Sequence, residues 1–216
     1  MKQLSTYIKE KLIINKDYHD NKIVVKSFDE LRKIIEDRYD ELGPGTKQDP
    51  IDFNDIDVSN IISFCDNDDN GLFEGTQFKY IDISDWDVSS VTNMSCMFFG
   101  CKKLESVGDI SSWDVSNVTD MSFMFYDCKE LKSVGDLSNW NVSSVTGMSW
   151  MFYNCKYFNQ DISNWDVSNV RDMNAMFRGC KSFNKDISKW NVSKVRYKID
   201  MFFNCSIEDE YKPKFK

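Results

Sequence analysis

Residues 113–128, "WDVSNVTDMSFMFYDC", recur with small changes along the chain, and this repetition constrains the fold more than any other feature of the 216-residue sequence. Aligned on tryptophan, five units begin at Trp86, Trp113, Trp140, Trp165 and Trp190. A degenerate one precedes them at "IDVSNIISF", with Ile56 in the tryptophan place. The shared pattern is W-[DN]-V-S-x-V-x5-M-F-x2-C. In the unit from Trp113 the apolar places are Val115, Val118, Met121, Met124, Phe125, Cys128, Leu131, Val134 and Leu137. Met121, Met124, Phe125 and Cys128 stand at i, i+3, i+4 and i+7, one apolar helical face, which predicts a turn or two of helix. "CKELKSVGDLS" spaces Leu131, Val134 and Leu137 three apart around a glycine and predicts a short strand with flanking bends. A unit of about 25 residues cannot bury its own apolar face, whereas stacked neighbours cover one another. The expected fold is an α/β solenoid over residues 51–205, with one short parallel strand plus a short helix per 25–27-residue unit.

Residues 1–50 lack the repeat and are expected to form an N-terminal helix–strand–helix cap. Leu4, Ile8 and Leu12 mark a short amphipathic helix, and "KIVV" reads as a strand. "SFDELRKIIEDRYDELGPG" then opens with Ser27 and Glu30 in capping-box spacing, carries Phe28, Leu31, Ile34 and Ile35 on one face, and stops at Gly43-Pro44. The polar tail 206–216 is expected to fray or to close the far end. No window approaches the roughly 18 to 20 consecutive apolar residues of a spanning helix. The N-terminus lacks the apolar run and cleavage site of a secretory signal, so the expected location is cytoplasmic.

Positions repeated within one chain can be read physically. Trp86, Trp113, Trp140, Trp165 and Trp190 are expected to stack as core, each burying on the order of 200 Å²; a carbohydrate or nucleobase platform is the competing reading. Cys101, Cys128, Cys155, Cys180 and Cys205 recur at intervals of 27, 27, 25 and 25 residues. With no C-x-x-C pair and a single histidine, His19, they read as a reduced, buried ladder rather than a zinc site. Asp82, Asp109, Asp136, Asp161 and Asp186 form one acidic row, and Asp87, Asp114, Asn141, Asp166 and Asn191 a second. Columns of carboxylates can bind calcium, but short Asp and Asn side chains also cap turns by accepting from nearby N–H groups. Asn replaces Asp freely in the second row, which favours capping. "DNDDNG", residues 66–71, begins like a calcium loop, yet Gln77 stands where its strongest ligand belongs, so it reads as an acidic surface loop.

Through "SNWDVSNVTDM" and "MFxxC" the chain resembles the bacterial BspA-type leucine-rich-repeat family, including the repeats of about 26 residues found in mycoplasma proteins. The resemblance spans roughly residues 51–205. It implies a leucine-rich-repeat-like solenoid with a parallel sheet along one side, used for binding rather than catalysis. Many relatives are exported adhesins; others occur in gut bacteria and their phages, and the leaderless N-terminal region here resembles the latter.

Lys102, Lys129, Lys156 and Lys181 follow the ladder cysteines, beside the variable Lys103, Glu130, Tyr157 and Ser182. This row reads either as a solvated guard against edge association or as the partner-binding surface, which solenoids build from varied exposed positions. No nucleophile has a plausible base and no phosphate-binding loop occurs, so neither catalysis nor a cofactor is expected. The formal charge of −8 is uneven: residues 51–136 carry 17 acids against 5 bases, and residues 137–205 carry 5 against 9. Opposed halves of this kind can steer a basic partner or draw two copies together. Arg171, Arg178, Lys181, Lys185, Lys189, Lys194, Arg196 and Lys198 form a basic group, but overall acidity argues against nucleic acid. The expected function is a non-catalytic protein–protein interaction module, with a virion or cell-surface component presenting its units to a host receptor or glycan as the rival.

Overall fold

The computed structural model describes residues 22–215. The helix expected around Leu4, Ile8 and Leu12, and His19, lie outside the described residues. Strand β1 (Ile23–Val24) pairs in parallel with β3 (Ile56–Asp57), and β2 (Ile51–Asp52) in parallel with β4 (Ile81–Asp82). The segment "KIVV" therefore belongs to the same parallel ladder as the first repeat. Helix α1, Phe28–Leu42, starts where the Ser27 side chain accepts from the Glu30 N–H and ends at Gly43, whose N–H donates to the Tyr39 carbonyl. Its Leu31 and Ile35 enter a continuous core that runs from Val25 to Ile207.

Successive units add side by side. Parallel bridges run Ser63–Asn93–Asp120–Gly147–Asp172–Tyr197, one residue per unit. Inside this row the aromatic rings of Phe73, Phe98, Phe125, Phe152, Phe177 and Phe202 stack at centroid spacings of 5.2, 5.2, 5.8, 5.8 and 5.9 Å. Cores of repeat proteins are built this way because each unit contacts only its neighbours.

The helix expected at Met121–Cys128 is replaced by a run of tight turns; among the described residues the repeats contain no α-helix. The N–H groups of Met124, Tyr126 and Cys128 reach back three residues, to the carbonyls of Met121, Phe123 and Phe125. Those of Met121, Phe123, Phe125 and Asp127 instead leave the unit and donate to Gly147, Ser149, Met151 and Tyr153 of the next, at 2.8–3.0 Å. Left-handed residues, Phe123 (φ 60°) and Asp127 (φ 58°), break the helical path and turn alternate N–H groups toward the neighbour. A single helical turn would leave its first N–H groups and last carbonyls unpaired. Sharing bonds with the neighbour pairs them all. Met121, Met124, Phe125 and Cys128 are fully buried, as their spacing predicts.

The strand expected in "CKELKSVGDLS" is likewise reduced to single-residue bridges, Tyr80–Ser106–Ser133. The two shorter units read "CKYFNQDIS" and "CKSFNKDIS" and lack the bridging segment. Their Phe158 and Phe183 take the core space that Leu131 and Val134 fill in the longer unit. These rings pack on Phe152 and Phe177 at 3.8 and 4.3 Å.

Candidate partner-binding surface

The five repeat tryptophans lie inside, 3–5% exposed. Each Nε1–H donates to a backbone carbonyl of the preceding unit: Trp86 to Phe53, Trp113 to Ile83, Trp140 to Ile110, Trp165 to Leu137 and Trp190 to Ile162, at 2.8–3.3 Å. A ring so committed cannot serve as a ligand platform. The ladder thiols are free and are likewise turned onto the preceding unit. Cys101, Cys128, Cys155 and Cys180 lie 2.9–3.1 Å from the carbonyls of Phe73, Phe98, Phe125 and Phe152, and Cys205, half-buried, lies 3.8 Å from that of Phe183. Burial pushes the thiols of Cys128, Cys155 and Cys180 well above the usual range, which makes them poor nucleophiles.

Both acidic rows are occupied by turns. In the first, Asp82, Asp109, Asp136, Asp161 and Asp186 each accept from the N–H two residues on, at 2.9–3.1 Å. The second row, Asp87, Asp114, Asn141, Asp166 and Asn191, does the same at 3.0–3.3 Å. Asp66 closes the "DNDDNG" loop on itself, accepting from the N–H groups of Asp68 and Asn70 at 2.9 and 2.8 Å. Among the described residues no three His, Cys, Asp or Glu side chains come together as a metal site.

The lysine row lies outside, but part of its charge is already matched. Lys102 and Lys129 lie 3.9 and 3.3 Å from the Asp127 carboxylate, which is itself buried and accepts from Asn154 Nδ2 at 3.0 Å. Lys181 donates to Asn204. Lys103, Lys156 and Ser182 are exposed, and Glu130 is half-buried. Tyr157, 46% exposed, lies beneath the Lys132 ammonium, 5.4 Å from the ring centroid. Lys132 in turn pairs with Glu105 at 2.8 Å, and Glu105 accepts from the Tyr80 hydroxyl at 2.7 Å.

Beside this row the place of Tyr126, which the sequence marks with Asn117, Asp120 and Asp127 as one where the copies differ, turns out to belong to an aromatic stack. The residue after each Met-Phe pair, Phe99, Tyr126 and Tyr153, points outward, and the three rings stack at 4.5 and 4.7 Å. Next to them Phe123 and Trp150 stack at 6.0 Å and meet Tyr126 and Tyr153 at tilts of 52–53°. All five side chains are half-buried, by one another. The line continues with Arg178, whose guanidinium lies 4.6 Å from the Phe203 centroid, and Phe203 is 56% exposed. Phe123 and Trp150 sit in the left-handed region (φ 60° and 59°), where a bulky side chain costs roughly 1–2 kcal/mol. The same place is left-handed in every tryptophan unit, at Cys96, Ala175 and Asp200 as well, so the conformation belongs to the repeat's turn and only the choice of aromatic side chains there is particular to these two units. The signal was available in the sequence as aromatic residues at two places where the copies are otherwise free to vary.

The ring faces are turned on each other, so the ridge offers mainly edges to solvent. That geometry suits a flat, partly apolar surface better than a sugar or base needing an open ring face. Among the described residues no helix is long and apolar enough to cross a membrane. The chain is thus a tandem-repeat protein with units added in parallel and an aromatic ridge along one side. Over residues 46–136 and 129–210 it matches, and it belongs to, the family described as "Mycoplasma protein of unknown function, DUF285". No curated protein and no solved structure matches the chain.

Proposed function

We propose that the chain is a non-catalytic protein–protein interaction module: a BspA-type, leucine-rich-repeat-like solenoid that docks a protein partner on its aromatic ridge. The observation that carries this reading is the alignment of Phe99, Phe123, Tyr126, Trp150 and Tyr153 from three successive units into one stacked ridge. Tyr, Trp and Arg dominate the energetics of protein interfaces, and Arg178 completes that set at one end. Lys102, Lys103, Lys129, Glu130, Lys156, Tyr157, Lys181 and Ser182 supply the polar rim that such interfaces carry. The edge-on rings disfavour the rival reading of a glycan-presenting surface component.

The test compares the unaltered chain with Trp150→Ala and Lys156→Ala as baits in quantitative pull-downs from the native cell. Trp150→Ala removes a central anchor, and retention of the specific partner is expected to fall about tenfold or more. Lys156→Ala, at the rim, is expected to change it little. A partner held equally by both variants, with urea midpoints unchanged, would remove the ridge from the binding surface.

A further inference from the structure

The stack has a direction. Within the turn row the first unit sends three N–H groups forward to the next unit's carbonyls and each later unit four; in the final interface they come from Met173, Ala175, Phe177 and Gly179, at 2.8–3.0 Å from the carbonyls of Tyr197, Ile199, Met201 and Phe203. One carbonyl per interface accepts the other way, here that of Arg171 from Arg196 N–H at 2.8 Å and Tyr197 N–H at 3.2 Å. The last unit therefore presents the N–H groups of Lys198, Asp200, Phe202 and Asn204 and the carbonyl of Arg196, none with a bonding partner among the described residues. The tail bonds to none of them, although it touches two of the row's side chains: the Lys198 ammonium lies 4.9 Å from the Phe215 ring centroid and the Lys212 ammonium 5.7 Å from that of Phe202. Its backbone bonds are made elsewhere on the unit, where the Tyr211 carbonyl accepts from Ile187 N–H at 3.0 Å and Ser206 N–H donates to the Cys180 carbonyl at 3.2 Å. Tyr197, Ile199 and Phe203 on this edge are 57%, 74% and 56% exposed.

The first turn row carries the complement. The carbonyls of Ser63, Leu72 and Glu74 and the N–H of Ile62 have no partner among the described residues. Helix α1 covers the apolar centre of this end, and Arg32 donates to the Gly71 carbonyl at 3.0 Å. The start of the row remains open as a cleft of about 440 Å³ lined by Ser27, Phe28, Ile62, Ser63, Cys65 and Asp66, among others. Ile62 at its rim is 66% exposed. Charge follows the same polarity: Asp66, Asp68 and Asp69 flank the first row, and Lys194, Arg196 and Lys198 lie on the last.

We infer that the last turn row is a docking edge for the first turn row of a second copy of this chain, added head to tail. Two last rows cannot pair with each other, because donors would face donors and lysines would face lysines. A β-strand edge is a poor mate too, because each bonding residue of a strand presents both an N–H and a carbonyl to the same side. Only a row that turns carbonyls backward can pair with forward N–H groups, and the chain owns one, with three free carbonyls for the four donors and charge of the opposite sign. The contact is heterologous, so repeated addition gives open chains rather than a closed dimer. The basic residues that keep last rows apart are the same ones that draw the acidic row in.

Sedimentation of the full chain over a concentration range tests this, alongside amide hydrogen exchange. At low salt the mean mass is expected to rise past that of a dimer, and to fall back as salt screens the charges. The double variants Arg196→Glu with Lys198→Glu, and Asn67→Lys with Asp68→Lys, alter exposed side chains only. Each alone is expected to associate about tenfold or more weakly, and mixing the two is expected to restore a one-to-one complex. The amides of Lys198, Asp200, Phe202 and Asn204 are expected to gain protection as concentration rises. A chain that stays monomeric at low salt, variants that associate like the unaltered chain, or oligomers in which those four amides stay unprotected would each overturn the inference.

Discussion

Phe125→Ala and Phe202→Ala remove the same ring from the same column, yet they are expected to differ in cost by about 2 kcal/mol or more. Phe125 is fully buried between Phe98 and Phe152, at 5.2 and 5.8 Å. Truncating a buried phenylalanine costs about 3–5 kcal/mol through lost transfer energy and the cavity left behind. The loss of both stacked neighbours, each worth about 0.5–1.5 kcal/mol beyond area burial, places Phe125→Ala in the upper part of that range. Phe202 is half-buried and closes the column, with its one stacked neighbour, Phe177, at 5.9 Å. Its truncation is expected to cost about 1–2 kcal/mol. The lesion at Phe125 also falls between halves coupled only through neighbouring units, so its unfolding transition should broaden, with a lower apparent m. Urea denaturation followed by tryptophan fluorescence and by circular dichroism reads both quantities. Equal midpoint losses for the two variants, or a sharp transition coincident by both probes in Phe125→Ala, would refute a stability built from nearest-neighbour stacking.

Two other expectations follow from the turns. Gly100 and Gly135 both lie in the left-handed region, at φ 70° and 82°, but a Cβ on Gly100 meets nothing within 4 Å whereas one on Gly135 would sit 1.9 Å from Asp109 Oδ1. Gly100→Ala should therefore cost about 1 kcal/mol in a thermal melt, and Gly135→Ala clearly more, since the clash must also displace the Asp109 cap. The carboxyls of Asp109, Asp114, Asp166 and Asp186 are held below the ordinary aspartate range by hydrogen bonds from the serine two residues on, its side chain first and its N–H next. Because the folded values are depressed, this contribution is complete above the unfolded value of about 3.9 and is lost as pH falls through the folded values. Urea midpoints should stay level from neutral pH to about pH 5 and decline below pH 4. Asp114→Asn with Asp166→Asn, which copies the natural Asn141 and Asn191, should hold the neutral midpoint and soften that decline.

How far the sequence could be read depended on whether a property belonged to a residue or to its neighbours in space. Ser27, Glu30 and Gly43 placed the ends of α1 because caps are local. The recurring Met121, Met124, Phe125 and Cys128 marked buried places, since a side chain repeated in every unit is one that every unit packs. The same four residues misled about backbone. Spacing at i, i+3, i+4 and i+7 reports which side chains share a face, and a run of turns interrupted at Phe123 and Asp127 shares that face as well as a helix does. The stacking of the ridge was hidden for a related reason. Phe99, Tyr126 and Tyr153 stand 27 residues apart in the chain and under 5 Å apart in space, so the sequence marks their place only as one where the copies differ.

By itself, the sequence determined the number of units, the residues each buries, the Asx turns that bend each one, and the opposed charge of the two halves. These rest on side-chain chemistry that repeats within a few residues. Only the tertiary structure decided where each backbone N–H goes, because a donor with two geometrically open acceptors, one three residues back and one in the next unit, chooses by what its neighbour offers. That choice turned helices into turns, aligned the aromatic ridge, and left the last row with donors and the first with acceptors.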